Sequence, residues 1–200
     1  MATHVPTPQE AQAIVEKYNQ DPFHRTHALT VANVMRWYAA KYDAGNEDHW
    51  YVVGMLHDVD FELYPTEHCV AGERLLKDEG VDKGVIRSAM SHGWGMTDVT
   101  YEPESQMENI LFAADELTGL IWASTLMRPS RSTLDMNLKS LKKKFKDKKF
   151  AAGCSRDTIR EGAERLGWEL DDLLGQTLEA MQAFERAQGG LPGVERPTEE

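Results

Sequence analysis

The sequence predicts an all-α protein, and three observations lead to that prediction. Apolar residues recur at intervals of three to four along most of the chain, which is the period of an amphipathic helix. No segment alternates apolar and polar residues for long enough to indicate a strand. The connections between the helical segments are short, so we expect a helical bundle.

Several of the helical segments carry recognisable start and stop signals. The first has Thr7 as a candidate N-cap and Pro8 at its first helical position, and another has Pro65 near its start and Gly80 at its end. A longer segment is expected to be one helix that is interrupted near Gly119. The predicted helical segments are residues 6–19, 24–42, 47–58, 65–80, 82–93, 103–127, 155–167 and 169–187.

Length and composition limit the possible classes of protein. Two hundred residues suit one domain, which we place at residues 1–188, followed by a loose C-terminal tail at 189–200. A net charge of −11 argues against nucleic acid or an anionic membrane as a partner. With only two cysteines, no export signal at the N-terminus and no apolar run that could span a bilayer, we expect a cytoplasmic protein.

The stretch MLHDVDFELYP, residues 55–65, ends an apolar run abruptly in His57 and Asp58. Polar groups beside buried residues are unfavourable unless they are paired. Neighbours on a helix point about 100° apart, so both can reach one ion only at a helix end or a distortion. Four other groups also lie in or beside apolar segments, and imidazoles and carboxylates of this kind are the usual ligands of Zn, Fe and Mn. These four are His27, His68, His92 and Asp115.

A structural interpretation competes with ligation for every one of these residues. A single histidine on a helix is more often an ordinary core or surface residue than a ligand. We assign that ordinary role to His4 and His49, and we interpret Cys69 as a small core residue. His24 lies three residues before His27 on the same helix face, so it is a candidate to point at a ligand or a substrate.

The order His27, His57-Asp58, Asp115 resembles the HD-domain superfamily of metal-dependent phosphohydrolases over about residues 24–125. The resemblance implies an HD-domain helical bundle in which these four residues bind one divalent ion. In bimetallic members a second ion is held at positions that match His68 and His92, and the aspartate that matches Asp58 bridges the two ions. The implied cofactors are one or two divalent metal ions, Fe, Mn, Ni, Co or Zn.

The chain departs from one well-known branch of that superfamily. HD-GYP proteins continue the doublet as His-Asp-Ile-Gly-Lys, whereas this chain has HDVDF and lacks the GYP signature. It is similar instead to small stand-alone HD proteins through the phrases HDVDFELYPTEH and ADELTGLIWASTLMRPS. That similarity implies no particular substrate.

Three functions are open at this point. The first is hydrolysis of a small phosphorylated substrate such as a nucleotide, with a metal-activated water as the nucleophile. The alternative is a mixed-valent di-iron oxygenase that acts on a phosphonate or a polyol, since some HD-fold enzymes with six such ligands have that activity. The third is a sensor that keeps the metal as a structural element. The sequence leaves the oligomeric state open.

Two residues near the doublet are candidates to transfer protons. Asp60 or His24 would take this catalytic role if either side chain reaches the open side of the metal centre. The competing interpretation of Asp60 is an exposed acid at the end of the helix or a residue that forms the following turn. Trp94, in the turn after His92, is a candidate to cover the pocket or stack on a base, and ordinary packing is the alternative.

Other candidate substrate contacts lie in the second half of the chain. Arg128, Lys143 and Lys144 are candidates to bind a phosphate, although the lysine-rich stretch is also typical of a solvated helix face. Thr118, one turn beyond Asp115, is a candidate to bind a ligand, and the alternative is a hydroxyl bonded to its own helix.

Overall fold

The computed structural model of the protein describes residues 3–195, and these are helical with no strand among them. Their one element of sheet pairing is an isolated parallel bridge between His4 and Val81. The all-α prediction is therefore confirmed. The chain divides into two compact units, residues 1–112 and 113–200. One domain over residues 1–188 stays a prediction, and residues 196–200 of the expected tail lie outside the described residues.

Each predicted segment corresponds to one helix of the described residues, and the lysine-rich stretch forms a further helix, α7. The bounds are α1 Pro8–Tyr18, α2 Pro22–Tyr42, α3 Glu47–Leu56, α4 Val70–Asp78, α5 Lys83–Met90, α6 Gln106–Leu126, α7 Leu138–Lys146, α8 Arg156–Leu166 and α9 Leu170–Gln188. Short 3₁₀ turns stand before α4 and after α5, at Pro65–Glu67 and Ser91–Gly93. No helix in the described range is long and apolar enough to cross a membrane.

The first unit is built around α3, which is buried from Trp50 to Leu56 and packs against α1, α2 and α5. α2 and α3 lie close together at Gly54, where an added Cβ would lie 2.9 Å from the Met35 side chain. Glycine at this position therefore lets the two helices pack closely. As a result, the C-terminal end of α3 is held beside α2.

Two details of the predicted helices are wrong. The segment 65–80 is not one helix, because the chain leaves helical geometry at His68 and Cys69, and Cys69 has a φ of 65°. In contrast, α6 continues through Gly119 without an interruption. A Cβ on Gly119 would lie 3.1 Å from the sulfur of Cys154, so this glycine serves packing and does not break the helix.

In the second unit, α7 and α8 each pack against α9. Glu185 on α9 is fully buried and accepts hydrogen bonds from Ser132 and Thr133, which fixes the loop before α7. The lysine-rich helix α7 buries Leu141 and Phe145 and turns most of its lysines toward solvent. This agrees with the interpretation of that stretch as a solvated face.

Candidate metal centre

His57 and Asp58 lie at the C-terminal end of α3, where the chain passes from the helix into a series of turns. His57 is fully buried and the side chain of Asp58 is 14% exposed. The Nε2 atom of His57 is 3.4 Å from Oδ2 of Asp58, so the two neighbouring side chains converge. The helix end thus satisfies the geometric condition that the sequence imposed on this doublet.

The two carboxylate oxygens of Asp58 face two different pairs of imidazoles in the first unit. Oδ2 lies 3.6 Å from Nε2 of His27 and 3.4 Å from Nε2 of His57. Oδ1 lies 3.3 Å from Nε2 of both His68 and His92. Five of the six predicted ligands therefore form one cluster with a carboxylate at its centre.

Hydrogen bonds fix which ring nitrogen of each buried imidazole faces the cluster. Nδ1 of His57 lies 2.8 Å from the carbonyl of Gly54, and Nδ1 of His92 lies 2.7 Å from that of Ala89. Because a carbonyl oxygen only accepts, each Nδ1 must carry a proton and donate it. Both Nε2 atoms therefore present a lone pair to the cluster in the neutral rings, as a metal-binding histidine does.

The donor atoms suit metal ions in chemistry and in spacing. Nε2 of His68 and Nε2 of His92 are 3.0 Å apart, and each is 3.3 Å from Oδ1 of Asp58. Neighbouring ligands on one ion with bonds of about 2.0–2.1 Å are separated by roughly 3 Å. The atoms that His27, His57 and Asp58 offer lie within 4.8 Å of one another. The residues present therefore fit a bound metal ion in the chemistry and the spacing of their donor atoms.

The electrostatics of the cluster favour bound cations. Burial would raise the pKa of Asp58, but His57 beside it holds that pKa well below its ordinary value. Burial would lower the pKa of His68, but its bonds with Asp60 and Cys69 raise it to about 9. Asp58 therefore stays ionised, and the imidazole of His68 tends to hold a proton. A metal ion bound at the cluster would take the place of that proton.

Asp60 is completely buried, so its interpretation as an exposed acid is wrong, although the residue does lie in the turns that follow α3. Its Oδ1 accepts from Nδ1 of His68 at 2.9 Å, and its Oδ2 accepts from the backbone N–H of Gly72 at 2.7 Å. Oδ1 thus holds the imidazole of His68, and Oδ2 ties Asp60 to the first turn of α4. Its predicted role in proton transfer stays a prediction.

His24 lies at the rim of the cluster with two aromatic residues that the sequence analysis did not single out. The rings of Phe23 and Phe61 are 51% and 40% exposed, and they lie 5.6 and 5.8 Å from the ring of His24. Phe23 also stacks on His27 at 6.4 Å, and Phe61 packs edge-on against His68 at 5.0 Å. We call Phe23, His24 and Phe61 the aromatic rim. In the sequence Phe23 directly precedes His24 and Phe61 directly follows Asp60, and this adjacency to two candidate residues is the signal that could have identified them.

A cleft of about 290 Å³ opens beside His68 in the first unit. One wall is formed by residues from Pro65 to Val70, and the other by residues 95–98, directly after Trp94. Trp94 itself is partly buried, and its backbone N–H donates to the carbonyl of Ser91. Its predicted contact with a substrate stays a prediction.

Cys69 also lies in this cluster, although its residue type alone favoured a small core residue. Its sulfur and the nearest nitrogens of His68 and His92 lie within 4.8 Å of one another. Burial would raise the pKa of this thiol, but His92 and His68 lower it to about 7. The adjacency of Cys69 to His68 could have suggested it, but only the break in the helix brings both side chains to one place.

The remaining candidates lie in the second unit. Asp115 is on α6 and partly buried. The hydroxyl of Thr118 donates to the carbonyl of Asp115, as a threonine within a helix commonly does. The guanidinium of Arg128 donates to the carboxylate and to the backbone carbonyl of Asp135. The ammonium of Lys144 lies over the ring of Phe150, whereas Lys143 is exposed. The functional roles predicted for these residues stay predictions.

Comparison with known families and proteins gives one match. The model of the HD domain family matches residues 25–120, a range that contains all six predicted metal ligands. No curated protein and no solved structure matches the chain.

Proposed function

Residues 25–120 belong to the HD domain family, which generally comprises metal-dependent hydrolases, and from this we propose that the protein hydrolyses a small phosphorylated substrate such as a nucleotide. The metal ligands that we propose are His27, His57, Asp58, His68, His92 and Asp115. One observation carries the proposal, namely that each oxygen of Asp58 faces its own pair of imidazole Nε2 atoms. A carboxylate in that position suits a pair of ions rather than a single one.

Two divalent ions held by these residues would supply Lewis acidity to a phosphoryl group and a nucleophilic water at neutral pH. Asp60 fixes the orientation of His68 by accepting its Nδ1 proton. The carbonyls of Gly54 and Ala89 do the same for His57 and His92. These bonds hold the donor atoms in place before substrate arrives.

His24 is the better placed of the two candidates for proton transfer. Its side chain is partly exposed at the rim of the cluster, whereas Asp60 is buried and both of its oxygens accept hydrogen bonds. We propose that His24 gives a proton to the leaving group or takes one from the attacking water.

The aromatic rim supports a substrate that has a flat or apolar part next to its phosphate. Phe23 and Phe61 keep about half of their surface exposed while they contact the candidate ligands His27 and His68. A nucleobase stacked on either ring would place its phosphate near the ions. We propose this contact in addition to the candidates Arg128, Lys143, Lys144, Trp94 and Thr118.

Phosphate release from a panel of nucleotides and simple phosphate esters tests the proposal, with Mn, Co, Ni, Zn or Fe supplied in turn. We expect release by the wild-type protein and background rates for Asp58→Asn. Asp98→Asn is the matched control, because Asp98 is an exposed acid in the cleft wall. If no substrate releases phosphate and a di-iron form consumes oxygen with a phosphonate or a polyol, the oxygenase is the correct function.

The composition of the chain supports a proposal for the cellular compartment and the partners of the protein. The net charge of −11 opposes nucleic acid and membrane partners, and the low cysteine content suits the cytoplasm. A small molecule is therefore the partner that we propose.

A further inference from the structure

The chain adopts an unusual backbone conformation between His68 and Cys69. The sequence from Pro65 to Gly80 predicts a continuous helix, yet the chain breaks between the 3₁₀ turn Pro65–Glu67 and α4. Cys69 has φ 65° and ψ −40°, close to the strained γ-turn region that side chains rarely occupy. Such a conformation costs about 1–3 kcal/mol and is found mostly where function requires it.

The break brings two neighbouring side chains to the same place. In a continuous helix His68 and Cys69 would diverge by about 100°. In this structure the sulfur of Cys69 lies 3.8 Å from Nε2 of His92, and that atom lies 3.0 Å from Nε2 of His68. Cys69 and His92 are almost completely buried, so the sulfur faces the interior of the cluster rather than solvent.

The backbone at Gly93 leaves room for the sulfur of Cys69. A Cβ on Gly93, the residue after His92, would overlap with the sulfur of Cys69. Glycine at position 93 therefore leaves the space that the sulfur occupies. Nε2 of His92 faces three atoms in this region, which are the sulfur, Nε2 of His68 and Oδ1 of Asp58. In the neutral rings both nitrogens present lone pairs, which a cation between them would satisfy.

We propose that Cys69 is a thiolate ligand of the second metal ion, together with His68, His92 and Oδ1 of Asp58. The proposal rests on the metal centre of the proposed function and adds a sulfur donor to it. As the ion binds, the S–H bond breaks, a metal–sulfur bond forms and the proton leaves to solvent. Two imidazoles, a thiolate and a carboxylate form a donor set that favours Zn, Co or Fe over Mg, Ca or Mn.

The competing interpretation is a neutral thiol that donates a weak hydrogen bond to His92, which a distance of 3.8 Å also permits. Cobalt distinguishes the two, because a thiolate bound to Co²⁺ gives an intense charge-transfer absorption in the near ultraviolet. The protein is loaded with Co²⁺, the bound cobalt per chain is counted, and the absorption spectrum is recorded. The chain has one other cysteine, Cys154, so Cys154→Ser is the matched control.

We expect the charge-transfer band in the wild type and in Cys154→Ser, and no band in Cys69→Ser or Cys69→Ala. The affinity for the second ion should fall in the Cys69 variants by more than the roughly 10- to 100-fold that loss of a supporting hydrogen bond causes. If the Cys69 variants fail to fold, the band in Cys154→Ser still identifies Cys69, since no other cysteine remains. A sulfur neighbour in the X-ray absorption spectrum of that same variant gives an independent reading.

Two results would overturn the proposal in distinguishable ways. Cobalt bound to the wild type without a charge-transfer band, or a band that survives in Cys69→Ser, would show that Cys69 is not a ligand although the metal centre exists. If neither the wild type nor any variant bound cobalt, there would be no metal centre, and the proposed hydrolase function would be wrong as well.

Discussion

The chemistry of the first unit depends on a few residues whose polar atoms are fixed by hydrogen bonds. His57 and His92 each donate Nδ1–H to a backbone carbonyl three residues earlier, and His68 donates to Asp60. These bonds direct the three Nε2 atoms toward Asp58. A residue that only holds a metal ligand in position can therefore be replaced while the ligand itself is kept, and the effect on metal affinity can be measured.

Replacing Asp60 tests such a supporting residue. Asp60→Ala removes the acceptor of the His68 proton and leaves the backbone N–H of Gly72 without its partner. We expect the affinity for metal to fall by about 10- to 100-fold and the protein to lose about 1–3 kcal/mol of stability. Isothermal titration with Zn²⁺ and chemical denaturation measure the two effects. Asp98→Ala is the control, and equal affinities in the two variants would contradict the supporting role.

Replacing a single glycine tests the packing beside Cys69. Gly93→Ala places a methyl group where the sulfur of Cys69 lies, so we expect weaker metal binding and a loss of stability of about 1–3 kcal/mol. The control is Gly175→Ala on α9, where no atom lies within 4 Å of the added Cβ. That change should be neutral or stabilise by about 0.5–1 kcal/mol. Thermal unfolding and metal titration compare the stability and the metal affinity of the two variants. Equal values for both would show that position 93 tolerates a methyl group.

At the scale of the helices, Glu108 links α5 to the start of α6. Its carboxylate accepts from Arg87 and Ser88 on α5 and from the backbone N–H groups of Glu104 and Ser105 before α6. Burial would raise the pKa of Glu108, and these donors together lower it below its ordinary value. The link matters for the site because the turn with His92 follows α5 directly.

Glu108→Gln tests this link and its dependence on pH. We expect a loss of about 1–3 kcal/mol at neutral pH, because the donors lose a charged acceptor. Since the folded pKa lies below the unfolded one, this stabilisation is present above about pH 4.3 and is lost as the pH falls through the folded pKa. The difference in unfolding free energy between wild type and variant should therefore narrow in acid.

Chemical denaturation of the metal-free proteins across pH measures that difference. Glu104→Gln is the control, because Glu104 also pairs with Arg87 but its side chain is 75% exposed. A difference for Glu108→Gln that stayed constant down to pH 3 would contradict the assigned pKa shift.

Much of the helical arrangement is predictable from the sequence because it depends on local signals. Thr7 caps α1 together with Glu10, and α3 ends at Leu56, directly before the doublet of His57 and Asp58. The break at Cys69 is not predictable in this way, since nothing in PTEHCVAGERLL marks a positive φ at a cysteine. Contacts across the fold, such as that of Gly93 with Cys69, decide it.

In the candidate site, too, some features are predictable from the sequence and others depend on contacts across the fold. Residue type and order predicted the histidines and Asp58, because metal chemistry restricts which side chains can serve. The burial of Asp60 and the exposure of Phe23 and Phe61 depend on how the turns after α3 fold back on α2, which no local pattern encodes. Asp60 was a candidate from the sequence, but its burial, and the place of Phe23 and Phe61 beside the site, needed the structure.

At the scale of the whole molecule, the proposed ions connect segments that are distant in sequence. In the first unit, α2, the end of α3, the turn before α4 and the turn after α5 each contribute candidate ligands. An ion that binds the folded state alone stabilises it by about 4 kcal/mol at a concentration 1,000 times its dissociation constant.

Removal of metal should therefore lower the unfolding temperature. We expect a lower Tm after treatment with a chelator and recovery on addition of Zn²⁺ or Co²⁺, as measured by circular dichroism or calorimetry. Asp58→Asn should show neither change, because it lacks the shared carboxylate. A wild-type Tm that is unaffected by chelator and metal would argue that the cluster binds no ion.

Metal content per chain, measured by plasma mass spectrometry, tests whether the cluster around Asp58 binds two ions. The wild type, Asp58→Asn and Asp98→Asn are purified without chelator and without oxygen, reconstituted with one divalent metal and freed of unbound ions. We expect two ions per chain in the wild type and in Asp98→Asn, and loss of most of the metal from a folded Asp58→Asn. Full metal content in Asp58→Asn, or none in the wild type, would contradict it.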